Sequence, residues 1–324
     1  MKKNKKFIKE LRQVEALIKK DLSKEKTISG LYKYIFKSNG KKIRANLSLV
    51  ASSKKINKNR IKLASVIELL HTATLVHDDV VDNSPLRRGV KSVNNIWTNS
   101  HGVLIGDYIY SKAFMYMVDI GNKKILRELA NATNDISQGE LIQLDAVKNL
   151  DITLNKLKKI SYFKTGRLFE ASAKTGAINA NANKAFIANI SECAKYLGIL
   201  FQIKDDLLDY SEKSRIGKPV FQDLKEGKVT YPFFFAFRNA NLDDQKELKN
   251  FLGNKKLNKK KAHHFLQSQV QLLVLVQLLL VAHKVLLMDK LKVPLITLKQ
   301  KVLLSSLRIY QRETCMITMM IRLK

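Results

Sequence analysis

Cysteine, proline, glycine and acidic residues are all scarce in these 324 residues: two Cys, four Pro, thirteen Gly, and 28 Asp or Glu against 59 Lys or Arg. Cys193 and Cys315 form no disulfide framework and no zinc-ligand spacing, so a reducing cytoplasm is the expected compartment. With so few helix breakers among stretches rich in Leu, Ile, Ala, Lys and Glu, an all-α chain is expected. Internal repeats with periods of 20–50 residues are absent. The run VQLLVLVQLLLVA (270–282) is too short to span a bilayer unaided and fits a core helix better. The basic N-terminus has charges throughout its apolar stretches, so no secretory leader is expected.

A net charge of +31 invites anionic partners: nucleic acid, a membrane surface or phosphorylated substrates. The lysines are scattered, however, and aromatics do not alternate with them as a base-stacking surface requires. No nucleic-acid partner is expected.

Helical spacing of apolar residues predicts an amphipathic helix over 7–22 and a second beginning at Lys41-Lys42-Ile43-Arg44, with Lys41 and Arg44 on one face. Residues 61–77 (IKLASVIELLHTATLVH) are apolar almost all round, which marks a buried helix ended by Asn83-Ser84-Pro85. Further helices are expected over 103–118, 135–144, 156–178 and 191–210, then a polar loop over 214–232. After Phe251 the chain carries fourteen bases and only Asp289 and Glu313 as acids, and its helical patterning is poor. A diverged or out-of-frame terminus is expected there.

The chemistry concentrates in HDDVVDNSPLRRG, residues 77–89. Asp78 and Asp82 are four apart, which on a helix puts both carboxylates on one face. Such like charges repel, and a divalent cation removes the repulsion. Mg2+ is typically held by one or two carboxylates plus phosphate oxygens. Asp205-Asp206-Leu207-Leu208-Asp209 repeats the spacing at the end of another apolar helix. One such cluster is often only a charged helix end or a salt-bridged turn. Two that end buried helices are hard to explain as solvated surface, and packing the helices would bring both to one end of a bundle. Glu68 and His71 match half of a di-iron Glu-x-x-His set, but no second copy exists. EF-hand spacing fails as well. His71 alone fits a satisfied core histidine equally well.

HTATLVHDDVVDNSPLRRG and FQIKDDLLDY, with GKKIR, ISQGELIQL, KTGRLFEASAKTGAI and GKPVFQDLKEGKVTYP in order, resemble the polyprenyl synthetase family of trans-isoprenyl diphosphate synthases. The similarity is greatest to the long-chain branch that makes quinone side chains, octaprenyl diphosphate synthases among them. The resemblance implies a large single-domain all-α bundle around a deep central cavity (the isoprenoid synthase fold), homodimeric. Residues 1–254 would form the catalytic domain and 255–324 its C-terminal part. The implied reaction is Mg2+-dependent head-to-tail condensation of isopentenyl diphosphate onto an allylic diphosphate such as farnesyl diphosphate, with two or three ions to a site. At most a peripheral membrane contact would serve product release.

Carried over by motif, Asp78 and Asp82 would hold Mg2+ on the allylic diphosphate with Asp79 in support. Asp205 and Asp209, with Asp206, would hold the remaining ions. Arg87 would contact the allylic diphosphate. Lys41, Arg44, His71 and Arg88 would bind isopentenyl diphosphate, and Lys164, Thr165, Gln202 and Lys218 would line the allylic side. Lys164 and Lys218 join Asp78, Asp82, Arg87, Asp205 and Asp209 as the implied catalytic set. The aspartates and arginines of residues 77–89 are expected to aim at the diphosphate rather than at each other.

Leu70, Ala73 and Thr74 share the face of Asp78 one and two turns earlier, and the smallness of Ala73 and Thr74 predicts passage for a long product. Asn39, Lys42 and Ala45 depart from the family's usual Gly, Arg and Pro. An intact second cluster argues against a terpene cyclase, and the aspartate spacing argues against a squalene-type synthase. A non-catalytic or impaired subunit of a prenyl synthase is the alternative.

Overall fold

A computed structural model describes residues 2–20, 23–37, 40–52, 57, 59–210, 221–257 and 262. Lys218, the run 270–282 and nearly all of 255–324 lie outside the described residues. Thirteen α-helices follow one another among those described: α1 (Lys2–Lys19), α2 (Lys26–Ile35), α3 (Ile43–Ala51), α4 (Asn59–Val81), α5 (Val93–Ile96), α6 (Asn99–Ile120), α7 (Lys123–Leu144), α8 (Leu154–Ser161), α9 (Arg167–Asn179), α10 (Lys184–Asp209), α11 (Gln222–Lys225), α12 (Tyr231–Asn239) and α13 (Leu242–Phe251). One two-residue antiparallel hairpin, β1 (Leu86–Arg87) with β2 (Val90–Lys91), lies between α4 and α5.

The expected buried helix is α4, and at 23 residues it spans about 35 Å. Leu63, Ala64, Val66, Ile67, Leu69, Leu70 and Ala73 are enclosed on all sides, as its unbroken apolar character requires. Its stop differs from expectation: Asn83 does the work that Pro85 was expected to do. With φ of 47°, Asn83 turns the chain left-handed, so that Ser84 N–H donates to Asp79 O (2.9 Å) and Asn83 N–H to Val80 O (3.2 Å). This closes the orphan carbonyls beneath the first aspartate cluster.

α9 is the hub, packing on α3, α4, α7 and α10. Its small buried side chains, Ala171, Ser172, Ala173, Thr175 and Ala177, let four helices approach one axis. The two apolar cores meet on it, with Ala171 in the α1–α4–α6 core and Phe169 in the α9–α13 core. Arg60, 2 % exposed, ties α4 to α1 through Glu10 (2.9 Å) and donates to Ser52 O (2.9 Å).

Three local expectations need correction. The helix predicted over 156–178 is interrupted by a π-turn, Tyr162–Gly166, between α8 and α9. The loop predicted over 214–232 contains α11, whose first turn is capped by Asp209. The helix predicted from Lys41 begins at Ile43 because Lys42 takes a left-handed φ of 46°, so Lys41 and Arg44 do not share a helical face.

The π-turn is fixed by the crossing of α10. A Cβ on Gly198 would lie 2.6 Å from Gly166 Cα and 3.0 Å from Phe169 Cβ, so only glycine admits this backbone contact. Gly198→Ala is therefore expected to lower the free energy of unfolding by about 1–3 kcal/mol through overpacking. Urea denaturation measures this, and an unchanged midpoint would show that the two backbones separate at no cost.

Candidate active site

The last turn of α4 gives its three aspartates different environments. Asp79 is 4 % exposed, and its Oδ1 accepts from Arg87 Nε (2.8 Å) and Nη2 (2.5 Å). Arg87 thus binds the cluster itself, which corrects the expectation that these aspartates and arginines ignore each other. Its other N–H groups remain for a ligand, since a guanidinium has five donors. Asp82 accepts from Lys228 Nζ at 2.9 Å, and the same ammonium meets Glu226 at 2.7 Å. Asp78 is pushed up to about 7 by burial, then by Glu140 and Asp82, against the pull of Lys164 and Arg87.

Arg88 (φ 54°) and Gly89 (φ 80°) form the two-residue turn of the hairpin. Positive φ at both positions matches the right-handed twist of paired strands. The turn separates the arginines: Arg87 goes to Asp79, while the Arg88 guanidinium lies against Gly40, 2.7–2.8 Å from where a Cβ would stand. Beside it, Arg44 Nη1 and His71 Nε2 are 2.9 Å apart, and the Arg44 guanidinium lies 4.6 Å from the Phe169 ring centre. Arg44 Nε is buried with no partner among the described residues. Burial and the Arg44, Arg88 and Arg87 charges hold His71 well below the usual histidine range, so the ring is neutral and accepts from Arg44. Lys41 is exposed at the rim.

At the end of α10, Asp206 is buried and pushed up to about 7, by burial first and also by Asp205. Gln202 Nε2 donates to it (2.8 Å), and Gln202 Oε1 accepts from the Thr165 hydroxyl (2.5 Å). Asp209 accepts from the backbone N–H groups of Gln222 and Asp223, each at 3.0 Å. Asp205 is exposed and faces the charge of Arg44. The π-turn presents Thr165 to Gln202 and Lys164 to Glu140 (2.8 Å) and Gln143. Such turns often occur at functional sites.

The two clusters belong to one site. Lys164 acts on Asp78 of the first cluster and Asp206 of the second, and Lys228, downstream of the second cluster, reaches Asp82 of the first. Sequence reasoning missed Lys228, Glu140, Gln143 and Asp223, although all four lie inside stretches already singled out. Glu140 and Gln143 are three apart on α7, a spacing that could have paired them.

Among the chain-length candidates, Leu70 and Ala73 have no exposed area and only Thr74 is half-buried, its hydroxyl bonded to His71 O at 2.8 Å. Of the three, Leu70 and Ala73 are packed within the core, and Thr74 is the position with open surface. No set of three His, Cys, Asp or Glu among the described residues is gathered tightly enough to hold an ion by itself. The available donors are hard carboxylate oxygens, suited to Mg2+ when phosphate oxygens complete the shell.

This helical bundle with two facing aspartate clusters is a prenyltransferase architecture. The polyprenyl synthetase family model matches residues 25–269, and the chain belongs to that family. It is similar to octaprenyl diphosphate synthase of Escherichia coli (strain K12), with 38 % identity over 231 residues, 70 % of this chain and 72 % of that protein. A decaprenyl diphosphate synthase structure from Rhodobacter capsulatus superposes with a TM-score of 0.85 at 30 % identity, covering 95 % of this chain and 97 % of that one. A polyprenyl synthase from Caulobacter crescentus CB15, complexed with calcium and isoprenyl diphosphate, superposes with a TM-score of 0.83 at 29 % identity over 87 % of this chain and 88 % of that one. No helix among the described residues is long and apolar enough to cross a membrane.

The raised carboxylates make a signed prediction. Asp206 titrates at about 7 in the fold against an ordinary 3.8, so the native state holds the extra proton between those values. Its stabilising contribution is complete below pH 3.8 and is lost as pH rises to 7. In metal-free protein, Asp206→Asn should therefore gain in thermal midpoint relative to wild type as pH rises through this window. A constant difference between the two melting curves would overturn the assignment.

Proposed function

We propose that the protein condenses isopentenyl diphosphate repeatedly onto an allylic diphosphate such as farnesyl diphosphate, making a long-chain all-trans polyprenyl diphosphate for a quinone side chain. The observation that carries this reading is the pair of aspartate clusters joined across one site by Lys164 and Lys228, beside the basic basin of Arg44 and Arg88. The long-chain activities named for the similar proteins support it. The calcium and isoprenyl diphosphate in the Caulobacter structure support a divalent ion and a prenyl diphosphate as ligands.

The donor set fits Mg2+: Asp78 and Asp82 on one side, Asp205 and Asp209 on the other, with Asp79 and Asp206 holding Arg87 and Gln202 in place. When bound, Mg2+ would supply positive charge to the diphosphate as its allylic C–O bond breaks. Arg87, Lys164 and Lys228 add fixed cations where negative charge grows, which stabilises the departing diphosphate more than the ground state. Lys41, Arg44 and Arg88 hold the second diphosphate, with neutral His71 orienting the Arg44 fork. Isopentenyl diphosphate then attacks the allyl cation through its double bond and loses a proton to the departing diphosphate. Enclosure by the helices keeps water from the cation.

The functional unit in this reading is a homodimer in the cytoplasm. Val103, Leu104, Phe114, Met115 and Val118 of α6, with Leu141 and Leu144 of α7, form an exposed apolar face that a second copy would cover. Leu104→Glu should shift sedimentation toward the monomer, and a wild type that already sediments as a monomer would refute the dimer.

The reaction is tested by incubating purified protein with Mg2+, farnesyl diphosphate and isopentenyl diphosphate and sizing the products. Long polyprenyl chains are expected; a folded, Mg2+-saturated sample without condensation favours the non-catalytic subunit instead. In the same assay Thr74→Phe, at the half-buried position, should shorten the products. Ala73→Tyr should also shorten them, at a cost of about 1–3 kcal/mol in stability because that site is packed. Unchanged product length in both variants removes this face from length control.

A further inference from the structure

Arg167, the residue after the π-turn Tyr162–Gly166, is buried, and its guanidinium reaches across to α7. Nε donates to Asp135 Oδ2 (2.7 Å) and Nη1 to Glu128 Oε1 (2.7 Å). The same Nη1 lies 3.6 Å from Glu170 Oε2, and that oxygen accepts from the hydroxyl of Tyr162 (2.5 Å), the first residue of the turn. Lys174 Nζ adds a contact to Glu128 Oε2 at 2.6 Å. One continuous chain of polar contacts thus joins the start of the turn, its end and α7. None of these residues belongs to the aspartate clusters.

The face of α7 that anchors this chain is also the face on which the turn rests. Glu128, Asp135 and Gly139 are spaced by seven and then four residues, so they line one stripe of the helix. A Cβ at Gly139 would lie 2.7 Å from Phe163 Cβ and 3.0 Å from Lys164 N, so the turn sits directly on this stripe. Glu140, the next residue, and Gln143, one turn on, receive the Lys164 ammonium. A slide of α7 along the turn would therefore open the Glu128–Arg167–Asp135 fork and move Lys164 off its seat together.

A bolt for stability alone is the plainer role for a buried ion network. Such networks contribute little net stability, however, because desolvation offsets the attraction. Three carboxylates here face two cations, Arg167 and Lys174, and the Tyr162 hydroxyl supplies a donor where the cations fall short. A donor placed inside the turn ties the geometry of the turn to the network, which joining α7 to α9 does not require.

We propose that Tyr162, Glu170 and Arg167 form a clasp that fixes the register of the π-turn on α7, and that they are positioning residues that set affinity for the allylic diphosphate through Lys164. This rests on the role given to Lys164 in the reaction proposed above. The clasp acts on where the ammonium stands, not on the diphosphate itself.

Tyr162→Phe removes one hydroxyl and keeps the ring, over which Lys195 Nζ lies at 4.6 Å, so the fold is retained. Calorimetric titration with farnesyl diphosphate and Mg2+, without isopentenyl diphosphate, reads binding apart from turnover. Tyr162→Phe should weaken that Kd about tenfold, as loss of one hydrogen bond to a charged group implies, and leave the Kd for isopentenyl diphosphate within about twofold. Added to Lys164→Gln, the same change should cost less than about twofold more, because the clasp then has no ammonium to place. In ligand-free protein, amide exchange across residues 162–166 should quicken in Tyr162→Phe. Arg167→Lys, which keeps the charge but loses the fork, should behave alike. Equal weakening for both ligands, an undiminished loss in the Lys164→Gln background, or unchanged amide exchange overturns the proposal. A wild type in which this coupling holds but no condensation follows refutes the reaction and leaves the clasp standing.

Discussion

Gathering carboxylates at the ends of buried helices is the constraint on which the structure depends. Two aspartate clusters brought to one end of a bundle repel, and burial in a low dielectric magnifies the cost. The fold meets this by interleaving cations. Lys164, paired with Glu140, lowers the cost of charge on both Asp78 and Asp206, Lys228 holds Asp82, and Arg87 neutralises Asp79. Asp209 is served by backbone N–H groups instead, at the start of α11. The compensation is incomplete at Asp78 and Asp206, and burial with neighbouring carboxylates pushes both up to about 7.

Much of the surrounding architecture positions those cations. The small face of α9 lets α7 and α10 come close, and the Gly198–Gly166 contact stabilises the π-turn that aims Lys164 and Thr165 inward. The type of turn between β1 and β2 divides two adjacent arginines between two tasks. Arg87 completes the aspartate cluster, and Arg88 joins Arg44 in a separate basic basin. The salt-bridged turn that a single cluster allows is half present in residues 77–89, since Arg87 pairs with Asp79 within it. Arg88 lies against Gly40, beside Arg44.

The long helices were legible because apolar periodicity and the scarcity of Pro and Gly are local properties. Asn59–Val81 and Lys184–Asp209 appear where residues 61–77 and 191–210 were expected, extended at their ends. The misreadings fall where a few backbone dihedrals decide. Lys42 in the left-handed region delays α3, Asn83 ends α4, and the π-turn splits the helix over 156–178. None of these has a strong signature in composition, since each is stabilised by neighbours distant in the chain.

The sequence by itself determined the helical class, the family and the two aspartate clusters at the ends of buried helices, because paired aspartates at i and i+4 lie one above the other on a helix face. Only the tertiary structure decided which charges meet. Lys228 reaching Asp82 across 146 positions and Arg88 seated on Gly40 both depend on how segments distant in the chain pack. Electrostatic partnership acts through space over a few ångströms, and chain order carries no record of it.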